Sequence, residues 1–340
     1  MNLRVFTLYL LFRPIVSLPY LVKDQVLRIH SENVYKRNLL EAIISDPLLE
    51  LDIWKDDMSE VDVRVPSSHL PTFKDRLKNF EYTVLIDDVQ SMVEAEQMEF
   101  ARRKKRDIQT EEELFSGYQD TDTLINYLSK LPGAQMFTLG YTYLDNPIQG
   151  VRIGTGSKNV VINGGIHARE WISPAVTAYV ANYMLGSEMQ AIDLRAKFTF
   201  HVIPVLNPDG YAYSRDAKGD RFWRKNREPN LNNPNCTGTD INRNFEYKWG
   251  NGDNECGEGY AGTAPLSTKE AMALDLYVKN LENVVAYIDV HSYSQLWLFP
   301  YGWTTEASPD SKNQMNASVR AVEAIERVHG TKFVAQRKTT

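Results

Sequence analysis

Val160-Val161-Ile162-Asn163-Gly164-Gly165-Ile166-His167-Ala168-Arg169-Glu170-Trp171 runs from an apolar segment through two glycines into a helix-like stretch from Ile172 to Leu185. A short apolar strand that turns on glycine and hands over to a helix is the recurring joint of an α/β sheet. His167 and Glu170 lie on that joint, three residues apart, where an imidazole and a carboxylate can converge on one cation. Zn²⁺ accepts such nitrogen and oxygen donors and keeps one position open for chemistry. A third donor must come from elsewhere, and His291 fits. The run Val284-Val285-Ala286-Tyr287-Ile288-Asp289-Val290 reads as a buried strand that delivers it at the carboxyl end, where α/β sheets place their sites.

Working outward, the neighbours carry more weight than the pair. With six histidines in the chain, a His-x-x-Glu arises by chance in roughly a third of such sequences. Here it is followed in order by Arg224 within Phe222-Trp223-Arg224-Lys225-Asn226-Arg227 and by Asp240-Ile241-Asn242-Arg243-Asn244-Phe245. Together with His291-Ser292-Tyr293-Ser294-Gln295 and Pro300-Tyr301-Gly302, this set resembles the metallocarboxypeptidases of the carboxypeptidase A and B family, over nearly the whole chain.

The resemblance implies one Zn²⁺ per chain on His167, Glu170 and His291, and capture of a substrate's terminal carboxylate by Asn242 and Arg243. It implies a catalytic Arg224 that polarises the scissile carbonyl, and a substrate groove lined by Arg169, Ser292 and Tyr293. The residue types suit these tasks. A guanidinium fork binds a planar carboxylate through two parallel charge-assisted hydrogen bonds, which a lysine cannot do. Fixed positive charge near the metal stabilises the oxyanion that grows during water attack. Tyr293 reads equally well as a packed aromatic. His201, in the alternating run Phe198-Thr199-Phe200-His201-Val202-Ile203, reads as a satisfied structural histidine, and His30, His69 and His329 have no ligand-like context.

At 340 residues and 43% hydrophobic content, the chain can hold two domains with substantial cores. Its net charge of −6 gives no sign of nucleic-acid binding. Met1 to Phe12, with Arg4 ahead of a short apolar stretch, reads as a secretory signal ending by Tyr20, which places the protein outside the cell. No segment is long and apolar enough to span a membrane. Cys236 and Cys256 flank a polar, glycine-rich loop and are either two buried thiols or a disulfide; the resemblance favours the bridge. Asn235-Cys236-Thr237 and Asn316-Ala317-Ser318 fit the glycosylation pattern.

Between signal and metal motif, the patterning predicts strands over 25–29, 49–54, 61–65 and 82–86 and helices over 32–44 and 69–80. That order is βαββαβ, a ferredoxin-like module. Asp24-Gln25-Val26 and Val63-Arg64-Val65-Pro66 resemble the activation domain of the same family, which implies a zymogen. A helix rich in Glu, Met and Arg then leads to Arg102-Arg103-Lys104-Lys105-Arg106-Asp107, where an activating protease is expected to cut after Arg106.

The expected organisation is therefore a signal over 1–20, an activation domain with connecting helix over 21–106, and a catalytic domain over 107–340 built on a mixed twisted sheet flanked by helices. Within the last, Ser173-Pro174 is expected to cap the helix after the metal turn, and Ser267-Thr268-Lys269-Glu270 to form a capping box. Met315, Val319, Val322 and Ile325 are expected to pack as a core face of a helix ending by Gly330. Past Phe333 the resemblance lapses, and Thr340 precedes the place where the family recruits its general base and its specificity pocket. None of Glu255, Glu258, Glu270 and Glu306 is assigned as base. Gly302 leans towards apolar or aromatic substrate side chains.

The leading reading is a zinc-dependent carboxypeptidase precursor, monomeric, acting on peptides with a free C-terminus. A non-catalytic zinc- or peptide-binding protein and a zinc amidohydrolase of small acyl amino acids stand as alternatives.

Overall fold

Alternation of apolar residues shapes the two larger of the three sheets. The computed structural model describes residues 23–56, 58–103, 108, 110–250 and 252–337. The signal segment and Arg106 lie outside the described residues. The chain divides between Met92 and Val93 into two compact units.

In the first unit β1 (Gln25–His30), α1 (Val34–Ile44), β2 (Asp52–Asp56), β3 (Glu60–Val65), α2 (Leu70–Arg76) and β4 (Tyr82–Ile86) follow the expected βαββαβ order. The strands form an antiparallel sheet in the order β2-β3-β1-β4. Leu27 and Ile29 of β1 meet Val61, Val63 and Val65 of β3, and Leu40 and Phe73 of the helices close over them. On the opposite face Arg28 grips Asp62 through Nε and Nη2, each at 2.7 Å, across a directly paired position. Boundaries shift where local chemistry intervenes. Asn33 accepts the Lys36 amide and starts α1 later than periodicity suggests, while Pro47–Leu49 wind into a 3-10 turn and delay β2.

The second unit begins within α3 (Val89–Arg103), followed by α4 (Glu111–Phe115), α5 (Thr121–Ser129), β5 (Gln135–Tyr141), β6 (Pro147–Ile153), β7 (Lys158–Asn163), α6 (Ile172–Leu185), α7 (Met189–Lys197), β8 (Phe198–Ile203) and α8 (Pro208–Arg215). After a long irregular stretch come α9 (Lys269–Lys279), β9 (Val284–Asp289), β10 (Leu296–Phe299), α10 (Ser311–His329) and β11 (Val334–Arg337). Five strands form a mixed sheet in the order β5-β6-β8-β7-β9, antiparallel as far as β8 and parallel through β7 and β9. Val160 and Ile162 face a core built with α5 and α6, whereas Val161 between them faces a second core containing Ala271 and Leu274 of α9. That period of two puts helices on both faces. Cys236 and Cys256 are joined as a disulfide.

Four local expectations are corrected. β9 is the outer strand of its sheet among the described residues, so Val285 and Tyr287 are exposed and the strand is not buried. Helix α10 packs mainly on β10 and β11, and Met315 and Val319 stand exposed. Helix α6 starts at Ile172 behind Trp171, because the Ser173 hydroxyl serves the preceding turn and not the helix amides. Thr268, not Ser267, caps α9 by accepting the Ala271 amide, and Ser267 Oγ instead accepts from Asn244 Nδ2.

His201 of β8 is buried and satisfied on both nitrogens, with Tyr277 Oη at 2.7 Å and Asn159 Oδ1 at 2.9 Å. Burial first, then the Arg152 charge, pushes its pKa down to about 4 from the ordinary 6.5. As pH falls, the unfolded chain takes up a proton that the folded imidazole refuses, so stability is full above 6.5 and is lost as pH falls through 4. Urea unfolding between neutral and acid pH is expected to show a shallower loss for His201→Gln than for the parent chain.

Candidate metal centre

Two glycines bring the metal turn against the end of the sheet. Gly165 adopts φ +62°, and a Cβ at Gly164 would lie 2.3 Å from Thr177 Oγ1, so the joint between β7 and α6 admits no side chain there. The Ser173 hydroxyl accepts the Gly165 amide at 2.8 Å and donates to the Val290 carbonyl, which ties the turn to the end of β9. Parallel pairing of β7 with β9 sets Asn163 opposite Asp289. His167 and His291 are thereby delivered to the same end of adjacent strands.

His167, Glu170 and His291 converge, each offering one donor atom within 4.8 Å of the others. His167 Nδ1 lies 2.8 Å from Glu170 Oε1, and His291 Nδ1 lies 3.0 Å from Glu170 Oε2. The far sides of both rings meet carboxylates: His167 Nε2 is 3.2 Å from Asp240 Oδ1, and His291 Nε2 is 2.8 Å from Asp289 Oδ2. Each ring thus lies between two carboxylates, an arrangement suited to positive charge: a ring that donates Nε2–H to its aspartate has an Nδ1 lone pair to give a cation. Two imidazole Nδ1 atoms and one carboxylate around a common point, with a carboxylate behind each ring, fit Zn²⁺.

The local electrostatics gather positive charge around Glu170. Burial alone would raise the Glu170 carboxyl, but the hydrogen bonds and charges of His167 and His291 outweigh it and hold the group well below the usual carboxylate range. Burial disfavours charge on His291, yet Asp289 and Glu170 push its pKa up to about 10. Asp240 is fully buried, and the His167 hydrogen bond with the Arg224 and Arg243 charges overcomes that burial to keep it ionised.

Arg224 reaches this cluster through Asp240. Its Nε and Nη2 both donate to Asp240 Oδ2, at 3.0 and 2.8 Å, and its Nη1 stands 4.0 Å from Glu170 Oε1. Asn242 and Arg243 form a 3-10 turn capped by Asp240. Asn242 Nδ2 sits 3.4 Å from His291 Nε2, and Arg243 Nη1 donates to the Asn242 carbonyl at 3.2 Å. The Ser292 amide donates to Glu170 Oε2 at 3.0 Å, and Tyr293 stands half exposed beyond it. Arg169 turns elsewhere, donating to the Phe222 carbonyl at 3.1 Å and to Glu258 at 2.7 Å.

Residues 123–340 match the family model described as zinc carboxypeptidase. The chain belongs to the zinc carboxypeptidase family. Residues 27–96 match the carboxypeptidase activation peptide. Mast cell carboxypeptidase A of Rattus norvegicus is 31% identical, over 92% of this chain and 79% of its own. Carboxypeptidase B of Bos taurus is 32% identical, over 91% of this chain and 77% of its own. Among solved structures, thrombin activatable fibrinolysis inhibitor superposes with a TM-score of 0.78 at 26% identity, covering 93% of this chain and 83% of that one. Carboxypeptidase A from Helicoverpa armigera shares the fold, with a TM-score of 0.82 at 24% identity over 94% and 82% of the two chains.

The protein is a zinc metallocarboxypeptidase zymogen, and neither the non-catalytic nor the amidohydrolase reading is favoured. Two functional residues of this carboxypeptidase escaped the reading of its sequence, Asp240 and Asp289. Each had a signal available. Asp289 precedes His291 by two residues along a strand, which places both side chains on one side, and Asp240 opens the Asn242-Arg243 motif itself. If Asp289 orients His291, Asp289→Ala lowers zinc affinity by about 10- to 100-fold in chelator competition, while melting of the zinc-free protein changes little.

Proposed function

We propose that the active centre removes single residues from peptides through a division of labour among its own side chains. His167, Glu170 and His291 hold zinc; Arg243 and Asn242 take the terminal carboxylate; Arg224 steadies the oxygen of the scissile carbonyl; and Arg169, Ser292 and Tyr293 line the groove. The observation that carries this reading is the inward convergence of two imidazole Nδ1 atoms and one carboxylate, each ring backed by an aspartate. Zinc at such a site supplies Lewis acidity that polarises a peptide carbonyl and makes water nucleophilic.

The chain's own groups account for exopeptidase selectivity. The Arg224 fork is committed to Asp240 through Nε and Nη2, so Nη1 is the nitrogen turned to the metal side, where a carbonyl oxygen gaining charge would need it. Among the described residues Arg243 has no carboxylate partner and spends one nitrogen on the Asn242 carbonyl, which leaves its planar fork for an anionic terminus. A peptide with an amidated end forfeits that pair. Arg243→Ala is therefore expected to raise KM for peptides with a free C-terminus by about 10²-fold or more, since breaking a buried charged pair costs about 3–5 kcal/mol. Amidated peptides should be poor substrates for both proteins; equal cleavage of free and amidated peptides by the parent enzyme would refute the clamp.

The precursor organisation belongs to the same proposal: a secretory signal over 1–20, an activation domain over 21–106 and a catalytic domain over 107–340, made for export. The match of residues 27–96 to an activation peptide supports it. Among the described residues no helix is long and apolar enough to cross a membrane. Peptides and an activating protease are the partners this requires, the protein acting as a monomer. Terminal sequencing after trypsin treatment is expected to find a new start at Asp107, and a start well inside the catalytic domain would argue against a cut after Arg106.

A further inference from the structure

Glu270, at the second position of α9, is wholly buried, and its Oε1 has no hydrogen-bond partner among the described residues. A buried carboxyl oxygen without a partner opposes folding and calls for a reason. The other oxygen supplies one. Oε2 accepts from Asn226 Nδ2 at 3.1 Å, which fixes the Asn226 side chain so that its Oδ1 accepts the Thr239 amide at 2.8 Å. The Asn226 amide in turn donates to the Thr239 carbonyl at 3.1 Å. Asn226 therefore clamps two segments together. One carries Arg224 two residues earlier; the other carries Asp240 one residue later, and Asp240 is the acceptor that meets both His167 and Arg224.

We propose that Glu270 is a positioning residue for the metal centre, acting through Asn226 to hold Asp240 and, with it, the His167 ring and the Arg224 guanidinium. The proposal rests on the metal assignment above. Among the described residues Glu270 bonds to none of His167, Glu170 and His291, so the role assigned to it runs through Asn226. Its surroundings suit a neutral hydrogen-bonding wedge. Burial pushes its carboxyl up to about 7 against the Asn226 bond, and the nearby Asp209 and Glu228 charges add to that push. The adjacent Lys269 directs its ammonium to the Thr142 carbonyl at 3.1 Å and lies 3.8 Å from Asp145. An acidic residue in the first turn also favours α9 through the helix dipole. That role would show in stability alone, and a double-mutant cycle on metal affinity separates the two.

Zinc affinity is measured on the full chain by competition with a chromophoric chelator, for the parent, Glu270→Leu, Glu270→Gln, Asp240→Ala and the Asp240→Ala/Glu270→Leu double variant. Glu270→Leu is expected to weaken zinc by about tenfold and Asp240→Ala by about 10- to 100-fold, with the double variant no weaker than Asp240→Ala alone. Glu270→Gln keeps an oxygen for Asn226 Nδ2 and is expected to stay within about threefold of the parent. Additive losses, an unchanged affinity in Glu270→Leu, or a Glu270→Gln variant as weak as Glu270→Leu would each overturn the proposal. Should Glu270→Leu fail to fold, Asn226→Ala takes its place in the cycle with the same expected non-additivity. A parent chain that binds no zinc would refute the metal assignment itself and the positioning role with it, an outcome distinct from normal binding that is insensitive to Glu270.

Discussion

Two imidazoles turn Nδ1 towards the two oxygens of Glu170 and Nε2 towards an aspartate each. Carboxylates on both sides of each ring call for positive charge between them, which protons supply in the bare protein and a divalent cation can supply at the same place. The surrounding structure serves to impose that convergence. The glycine joint brings His167 and Glu170 onto the end of β7, the parallel ladder brings His291 onto the end of β9, and Asn163 Nδ2 donates to Asp289 Oδ1 at 2.7 Å to hold the second aspartate in register.

Asp240 joins His167, Arg224 and the Asn242-Arg243 turn. One of its oxygens faces the His167 ring and accepts the Asn242 amide, and the other is gripped twice by Arg224. A shift in this single buried carboxylate would therefore disturb the His167 ring, the Arg224 guanidinium and the turn that carries Asn242 and Arg243. The low exposure of the site makes that coupling strong, because charge–charge interactions lose little to solvent there. Arg169 stands outside the network, paired with Glu258 at the surface.

Much of this was legible in the chain. Spacing of His167 and Glu170 at a strand-to-helix joint, and of His291 behind a β-type run, picked out three side chains that the structure brings together, because local geometry already restricts where such side chains can point. The βαββαβ module was equally legible, since alternation in β1 and β3 is a local property. Less visible were the packing choices. Val285, Tyr287, Met315 and Val319 are apolar at the right period for a core yet stand exposed, because periodicity tells which residues share a face and not whether anything covers it. Ser173 was misread for a related reason: its hydroxyl can cap a helix or serve a neighbouring turn, and only the approach of Gly165 and Val290 decides between them.

By itself the sequence determined the strand-helix joint, the three side chains that converge and the arginine-rich segments that follow, for these depend on residue type and short-range spacing. Only the tertiary structure decided which nitrogen of each imidazole faces inward, since that is set by Asp240 and Asp289, and the bond from Asp240 to His167 spans 73 residues. It also decided that Arg224 shares its carboxylate with a ligand, and that Glu270, marked in the sequence only by a capping pattern, reaches Asn226 from a helix 44 residues further along the chain. Hydrogen bonds between distant segments depend on how the sheet and its loops close in space, and a pattern read along the chain carries no record of that closure.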